Sequence, residues 1–278
     1  MHSKKNTAKV DIIMGIYNCE KYLEDCFNSL LAQTFKNWRL IMCEDGSNDN
    51  TLKVAESIAK RYPEKVLLLK NPKNMGLNYT LNKCLQHSSA KYVARQDADD
   101  LSMPERLEIE YNFLEKNPQY AFCSTLVKLI DDDGIWGQTK SKAKPLKIDF
   151  VYGTPFNHPA SMINRAILRE VGNYTVDKRL LRVEDYHLWF KFYEKGYKGY
   201  NIQTPLYYWR DDRDATSRRT WQNRLNECYV KKIGFKMLGL PLKYRIFIFR
   251  PIIIGLLPKF FYAKLHQAKL KKPTGSSK

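Results

Sequence analysis

The sequence predicts an α/β protein whose first half folds as a parallel sheet with helices packed against it. Short apolar runs alternate with helical patterns from Val10 onward, the signature of βαβ units. Three polar clusters, Tyr17-Asn18, Glu44-Asp45-Gly46-Ser47 and Asp97-Ala98-Asp99, each follow directly on an apolar run. A length of 278 residues, 44% of them hydrophobic and 27% charged, is enough to bury one large core with an appendage.

The elements follow in order. Val10 to Met14 reads as a buried strand ending at Gly15. Leu23, Cys26, Phe27, Leu30 and Leu31 recur at helical spacing and mark a helix behind it. Trp38 to Cys43 is a second strand and Thr51 to Arg61 a second helix. Val66 to Leu69, then Leu77 to Leu85, form the next strand and helix, and Tyr92 to Arg95 is a short fourth strand. Pro104 suits the first turn of a helix reaching about Asn117. Ala121 to Ile130 is a further strand that turns at Asp131-Asp132-Asp133-Gly134. Lys140 to Lys147 is basic and without period, so it reads as a loose loop. Tyr186, Trp189, Phe190 and Tyr193 share one helical face, and Leu206 to Tyr208 is a short late strand.

The formal net charge of +18 calls for an anionic partner: nucleic acid, an acidic membrane surface or a phosphate-bearing ligand. Six cysteines occur with no C-x-x-C pair, so no zinc site or redox pair is indicated. Met1 to Lys9 is polar and basic with no apolar stretch behind it, unlike a signal peptide. The expectation is a cytoplasmic protein with reduced thiols.

In open α/β sheets, ligands sit outside the carboxyl ends of the strands, so the three polar clusters are expected to converge on one edge. Asp97 and Asp99, one residue apart at a strand end, suit a hard divalent cation, Mg²⁺ or Mn²⁺; an acidic surface turn is the plainer reading. Glu184-Asp185 opens a helical pattern, where a carboxylate caps the helix or serves as a general base. Arg95 either pairs with Asp97 or reaches a phosphate.

These segments together resemble glycosyltransferase family 2, the inverting enzymes of the GT-A fold, of the type that builds bacterial cell-surface polysaccharide. The likeness rests on six motifs in order: Ile12 to Asn18, Glu44 to Asp49, Asn74-Met75-Gly76-Leu77, Ala94 to Asp100 with Pro104, Arg106, Leu107 and Glu108, Asn157-His158-Pro159-Ala160, and Val183 to Trp189. It spans roughly residues 8 to 212. One departure is Gly15, which stands where Pro or Thr is usual.

Residues 213–278 read as a C-terminal helical, basic and amphipathic extension, while the resemblance implies a Rossmann-like mixed sheet flanked by helices over residues 1–212. It implies a nucleotide-sugar donor, uridine diphosphate by default with thymidine diphosphate as the alternative, and a lipid-linked or oligosaccharide acceptor. Tyr17, Asn18, Asp45, Gly46, Asn74, Arg95, Asp97 and Ala98 would hold the donor, with Asp45 accepting from the base. Asp99, with Asp97, would ligate the metal, and Asp185 would be the catalytic base. His158, Glu184 and Trp209 would face the acceptor, although a lone histidine is more often a structural residue. His187, two positions past Asp185, is turned away by helix geometry.

Leu242 to Leu270 mixes Phe, Ile and Leu with Lys and Arg and holds almost no acid. Its uncharged run between Arg250 and Lys259 is far short of the ~20 residues that span a bilayer, and Pro251 and Pro258 break any single helix. Two readings fit: an interfacial segment on an anionic membrane, at the inner face of the cell membrane, or a helix packed on the catalytic domain. An oxidoreductase would show G-x-G-x-x-G after the first strand, and the sequence has Gly15-Ile16-Tyr17-Asn18-Cys19-Glu20. No nucleic-acid-binding fold is recognisable, and the basic Gly-rich loop of a nucleotidyltransferase is missing.

Overall fold

A computed structural model describes residues 8–211 and 220–256. The boundary expected at 212–213, and the tail residues Leu257, Pro258, Lys259, Phe260, Phe261, Lys264 and Leu270, lie outside the described residues. The chain builds β1 (Val10–Ile16), α1 (Leu23–Leu31), β2 (Trp38–Glu44), α2 (Thr51–Arg61), β3 (Val66–Lys70), α3 (Leu77–Gln86) and β4 (Tyr92–Arg95). After these come β5 (Leu101–Ser102), α4 (Arg106–Lys116), β6 (Phe122–Asp131), β7 (Gly134–Gln138), β8 (Ser161–Asn164), α5 (Arg165–Glu170) and α6 (Glu184–Glu194). β9 (Gly199–Arg210), α7 (Trp221–Met237) and α8 (Arg250–Gly255) complete the set.

One sheet runs through the molecule in the order β3-β2-β1-β4-β8-β6-β9-β5, with β7 paired to β6. The first four strands are parallel, as the βαβ reading expects. β8 enters antiparallel to both β4 and β6, while β9 runs parallel to β6, so the sheet is mixed. Side chains alternate between its faces. Ile13, Ile41 and Cys43 point into a core shared with α6 and α7. Val10, Ile12, Met14, Leu40 and Met42 point into a second core with α1, α2 and α4. Helices cover both faces, which is why these strands read as continuous apolar runs.

The elements from β1 to β4, and α4, fall within a residue or two of their expected bounds, while the two-residue β5 was not expected. The later half differs more. β9 is a twelve-residue strand, of which the sequence showed only the end. Its pairing to β6 slips at Thr125/Leu126 and Leu126/Val127, opposite Pro205, and that irregularity erases the two-residue period. Nor is the basic stretch 140–147 loose. Asn201 reaches it through N–H···O to Ala143 (2.8 Å) and Nδ2···O to Lys142 (2.8 Å), and the Tyr193 hydroxyl donates to Pro145 O (2.9 Å).

α7 shares the α6-side core through Val230, Phe235 and Leu238. Gly234 sits where an added Cβ would fall 2.2 Å from the Phe190 ring, so the two helices touch backbone to ring. The segment after α7 divides its faces. In the short 3-10 turn Leu242–Ile248, Tyr244 and Phe247, three residues apart, pack inward with Ile248. Leu242, Ile246, Phe249, Ile253 and Leu256 remain exposed. One face of this segment is thus packed on the domain, and the other is exposed. No helix among the described residues is long and apolar enough to cross a membrane.

Candidate active site

A cleft of about 630 Å³ opens at the carboxyl ends of β1, β2 and β4, in the range that holds a small-molecule ligand. Among the residues expected at a site, Tyr17, Asn18, Asp45, Asn74, Asp97, Ala98, Asp99 and Glu184 line it. The polar clusters converge because parallel strands deliver their C-terminal ends to one edge.

Their loops are laced together. Asp45 N donates to Ile16 O (3.0 Å), Asn18 N to Ser47 Oγ (3.1 Å) and Asn48 N to Asn18 Oδ1 (2.9 Å). Asn18 holds a positive φ of 48°, a conformation Asn tolerates better than most residues. Asp45 is the hub. Its Oδ1 accepts from Asn71 Nδ2 (2.7 Å) and Met75 N (2.8 Å), and its Oδ2 from Gly76 N (2.9 Å). A carboxylate offers about four acceptor sites, so three internal donors leave it one for a ligand. Gly46 does not line the cleft; it makes the turn possible, with φ 76° and room for no Cβ, which would lie 2.6 Å from Asn74 N. The departure at Gly15 has a similar cause: a Cβ there would press on Leu77 and Thr80 of α3 at 3.1 and 3.2 Å.

The strand end that presents Asp97 and Asp99 is held from beneath. Asp97 N donates to the Tyr207 hydroxyl (3.1 Å), whose ring lies under the Arg106 guanidinium (4.9 Å). Arg106, fully buried, donates to Gln96 Oε1 (2.9 Å), Ser102 Oγ (2.9 Å) and Arg95 O (2.7 Å), and pairs with buried Glu110. Burial pushes the Glu110 carboxyl up to about 7 against that pairing. Asp100 turns inward and accepts from Arg210 N (2.7 Å). Of the two options for Arg95, the structure takes the ion pair. The side chain is 1% exposed, its guanidinium meets Asp97 Oδ1 and Gln96 O, and it does not line the cleft.

Across the cleft, Glu184 and Asp185 open α6. Both are half-buried, and Glu184 rather than Asp185 belongs to the lining. Burial first, and then the neighbouring Glu184 charge, push the Asp185 carboxyl up to about 7, opposed by the Tyr186 backbone N–H. Burial also raises Glu184, opposed by its own N–H and by Arg182. The two carboxyls thus share a site in which full ionisation of both is costly.

Two further expected residues lie off the cleft. His158 is buried, with Nε2 2.7 Å from the Tyr174 hydroxyl and its ring edge-on to Trp189, and burial pushes it well below the usual histidine range. That is the structural option, and no acceptor face is left to it in this arrangement. Trp209 is 36% exposed on β9 and outside the lining. His187, nearly buried, is pushed down to about 4 by burial and then Lys191, so it is neutral near pH 7. Sequence reasoning missed Arg182, Leu181 and Asn223, which also line the cleft. Arg182 immediately precedes the recognised Val183–Trp189 segment, which was the available signal. Asn223 had none, because it comes from the C-terminal helix.

A model of the family described as glycosyl transferase family 2 matches residues 11–189. EpsE of Bacillus subtilis, named as a glycosyltransferase, is 38% identical over 94% of each chain. The Escherichia coli UDP-Gal:alpha-D-GlcNAc-diphosphoundecaprenol beta-1,3-galactosyltransferase is 30% identical over 77% of this chain and 78% of its own. Among solved structures, Staphylococcus aureus TarS 1–349 in complex with UDP-GlcNAc superposes with a TM-score of 0.62 at 16% identity, over 93% of this chain and 88% of that one. The mannosyltransferase PcManGT of Pyrobaculum calidifontis, in complex with GDP-Man and Mn²⁺, gives 0.60 at 16%, over 94% and 84%. At such identities the structural likeness speaks for the fold.

Proposed function

The chain belongs to glycosyl transferase family 2, and we propose that its cleft transfers a sugar, with inversion, from a uridine diphosphate donor to a hydroxyl of a lipid-linked or oligosaccharide acceptor. The observation that carries this reading is a single cleft lined by Asp45, Asp97, Asp99 and Glu184, with Asp185 next to Glu184 in the first turn of α6. Support for the donor and acceptor classes comes from relatives: TarS is described with UDP-GlcNAc, and the E. coli galactosyltransferase is named for a UDP-Gal donor and a diphosphoundecaprenol acceptor.

In this reading the remaining acceptor site of Asp45 takes the N3–H of uracil, with Tyr17 beside the base and Asn18 at the ribose. A divalent cation, Mn²⁺ or Mg²⁺, fits the opposite end. Asp97 and Asp99 are hard oxygen donors, and among the described residues no group of three or more ligating side chains exists, so diphosphate and water would complete the shell. Bound there, the cation would neutralise charge on the departing nucleoside diphosphate. PcManGT, described with Mn²⁺, supports that requirement. Asp185 accepts the proton of the acceptor hydroxyl as its oxygen attacks the anomeric carbon from the far side, and the C–O bond to diphosphate breaks. Burial, and after it the Glu184 charge, hold the Asp185 carboxyl basic enough to take that proton.

The exposed row Leu242, Ile246, Phe249, Ile253 and Leu256, beside Lys243 and Arg245, supports a surface that rests on anionic lipid at the inner face of the membrane, where a lipid-linked acceptor would be presented. Residues 1–212 would then form the catalytic unit and 213–278 the extension that seats it.

The test of the reaction is Asp185→Asn. Transfer from UDP-sugars should fall by at least ~10²-fold, the usual contribution of a general base, while UDP affinity stays at the parent value. Full retention of transfer would remove Asp185 from the base role.

A further inference from the structure

The cleft has a charge problem. Its lining carries four carboxylates, Asp45, Asp97, Asp99 and Glu184, yet its proposed occupant is a diphosphate. Arg95, the arginine beside the acidic pair, offsets Asp97 but is buried and outside the lining, so it does not present its charge to an occupant. Among the described residues a single lining side chain is cationic, and that is Arg182.

Three features set Arg182 apart. It is exposed, and makes no hydrogen bond or ion pair with any described residue, although it bears electrostatically on Glu184. Its backbone adopts φ 66°, in a region that costs a non-glycine residue of order 1 kcal/mol or more. Finally, the surroundings impose that conformation. Asn226 of α7, nearly fully buried, donates through Nδ2 to Leu181 O (3.0 Å), and Val183 N donates to Leu180 O (3.2 Å). On the same flank the Arg179 guanidinium lies 4.4 Å over the Tyr229 ring, also from α7. Glycine would suit the backbone better, and among the described residues the guanidinium has no hydrogen-bonded partner to lose, only its attraction to Glu184. Strain that the fold over-determines, at the rim of a ligand cleft, points to use by a ligand.

We infer that Arg182 binds the diphosphate of the nucleotide, facing Asp97 and Asp99 across the cleft, and that Asn226 on α7 positions it by clamping the Leu181–Arg182 corner. This inference rests on the nucleotide-diphosphate reading of the cleft. Guanidinium matches phosphate oxygens through paired N–H donors, so one side chain can hold the leaving group while Asp185, three residues on, meets the acceptor. The C-terminal helix is thereby part of the donor site, through the corner it clamps and through Asn223 in the lining.

The experiment is calorimetric titration of UDP, with Mn²⁺, into the parent chain and into Arg182→Gly, Arg182→Lys and Asn226→Ala. Arg182→Gly should keep the parent's thermal midpoint or exceed it, yet bind UDP at least about tenfold more weakly, as loss of a charge-assisted contact to phosphate gives. Arg182→Lys should recover part of that loss, and Asn226→Ala should weaken UDP binding in the same direction. Parent-like UDP affinity in Arg182→Gly overturns the inference. If that variant instead raises only the KM for a diphosphate-linked lipid acceptor, the guanidinium serves the acceptor's diphosphate and the donor assignment is likewise overturned. A parent chain that binds no UDP is a different failure, that of the nucleotide reading itself, and takes this inference with it.

Discussion

At the scale of single residues, the base role proposed for Asp185 ties activity to the protonation of its carboxyl. Its carboxyl is raised from 3.8 to about 7, first by burial and then by Glu184. In the free enzyme kcat/KM should therefore rise as pH increases through about 7, because only the ionised form accepts a proton. Stability runs the other way. The folded chain holds this proton more tightly than the unfolded chain, so between 3.8 and about 7 this group makes the fold less stable as pH rises. A pH–rate profile checks the claim: the acidic limb should be present in the parent and missing from the residual rate of Asp185→Asn. An acidic limb that persists unchanged in the variant assigns it to another group. The sequence disclosed the carboxylates of this site because each stands in a motif at an element's end. It did not disclose which arginine is free. Arg95 and Arg182 both adjoin recognised motifs, and what separates them is burial, 1% exposure for Arg95 against an open side chain for Arg182.

At the scale of elements, the strand-to-helix turns carry the site. The turn after β2 is the tightest, since Asp45 bonds the Asn74–Gly76 segment and Gly46 lies against its backbone. Gly46→Ala must place a methyl 2.6–2.7 Å from Asn74 N and Lys73 C at a positive φ. The expected cost is about 1–3 kcal/mol for the backbone conformation alone, with UDP affinity reduced because Asp45 and Asn74 are displaced. Urea unfolding and UDP titration read both effects, and an Ala variant with parent stability and affinity would contradict the described turn. From β1 to β4 and in α4, helical and strand periods were legible because β1, β2 and β4 are buried on both faces and the helices turn apolar residues to the core. Beyond Asp131 the signal fades for physical reasons. β7 is largely exposed, β8 has four residues, and β9 is broken by a register shift.

At the scale of the whole molecule, charge and shape suggest how the enzyme meets its acceptor. The chain carries +18, and its last described segment turns Leu242, Ile246, Phe249, Ile253 and Leu256 outward while Tyr244, Phe247 and Ile248 anchor it to the core. Ile246→Ser, Phe249→Ser and Ile253→Ser together spare that anchor, so the fold should survive. The parent should co-sediment with vesicles of anionic lipid, less so at high salt, and the triple variant should stay in the supernatant. Equal sedimentation of both would remove this face from membrane contact. The sequence could name this tail as amphipathic, but the division into packed and exposed faces depends on a 3-10 turn and its contacts with Tyr152 and Lys231. That both the cleft and its flank depend on α7 was likewise hidden, since Asn223 and Asn226 become neighbours of Glu184 and Leu181 only through folding. The most direct test of the central claim is titration of UDP into the full chain with Mn²⁺ and again with EDTA. UDP should bind tightly and its affinity should fall strongly when the metal is removed; absence of UDP binding under both conditions rules out a nucleotide site in this cleft.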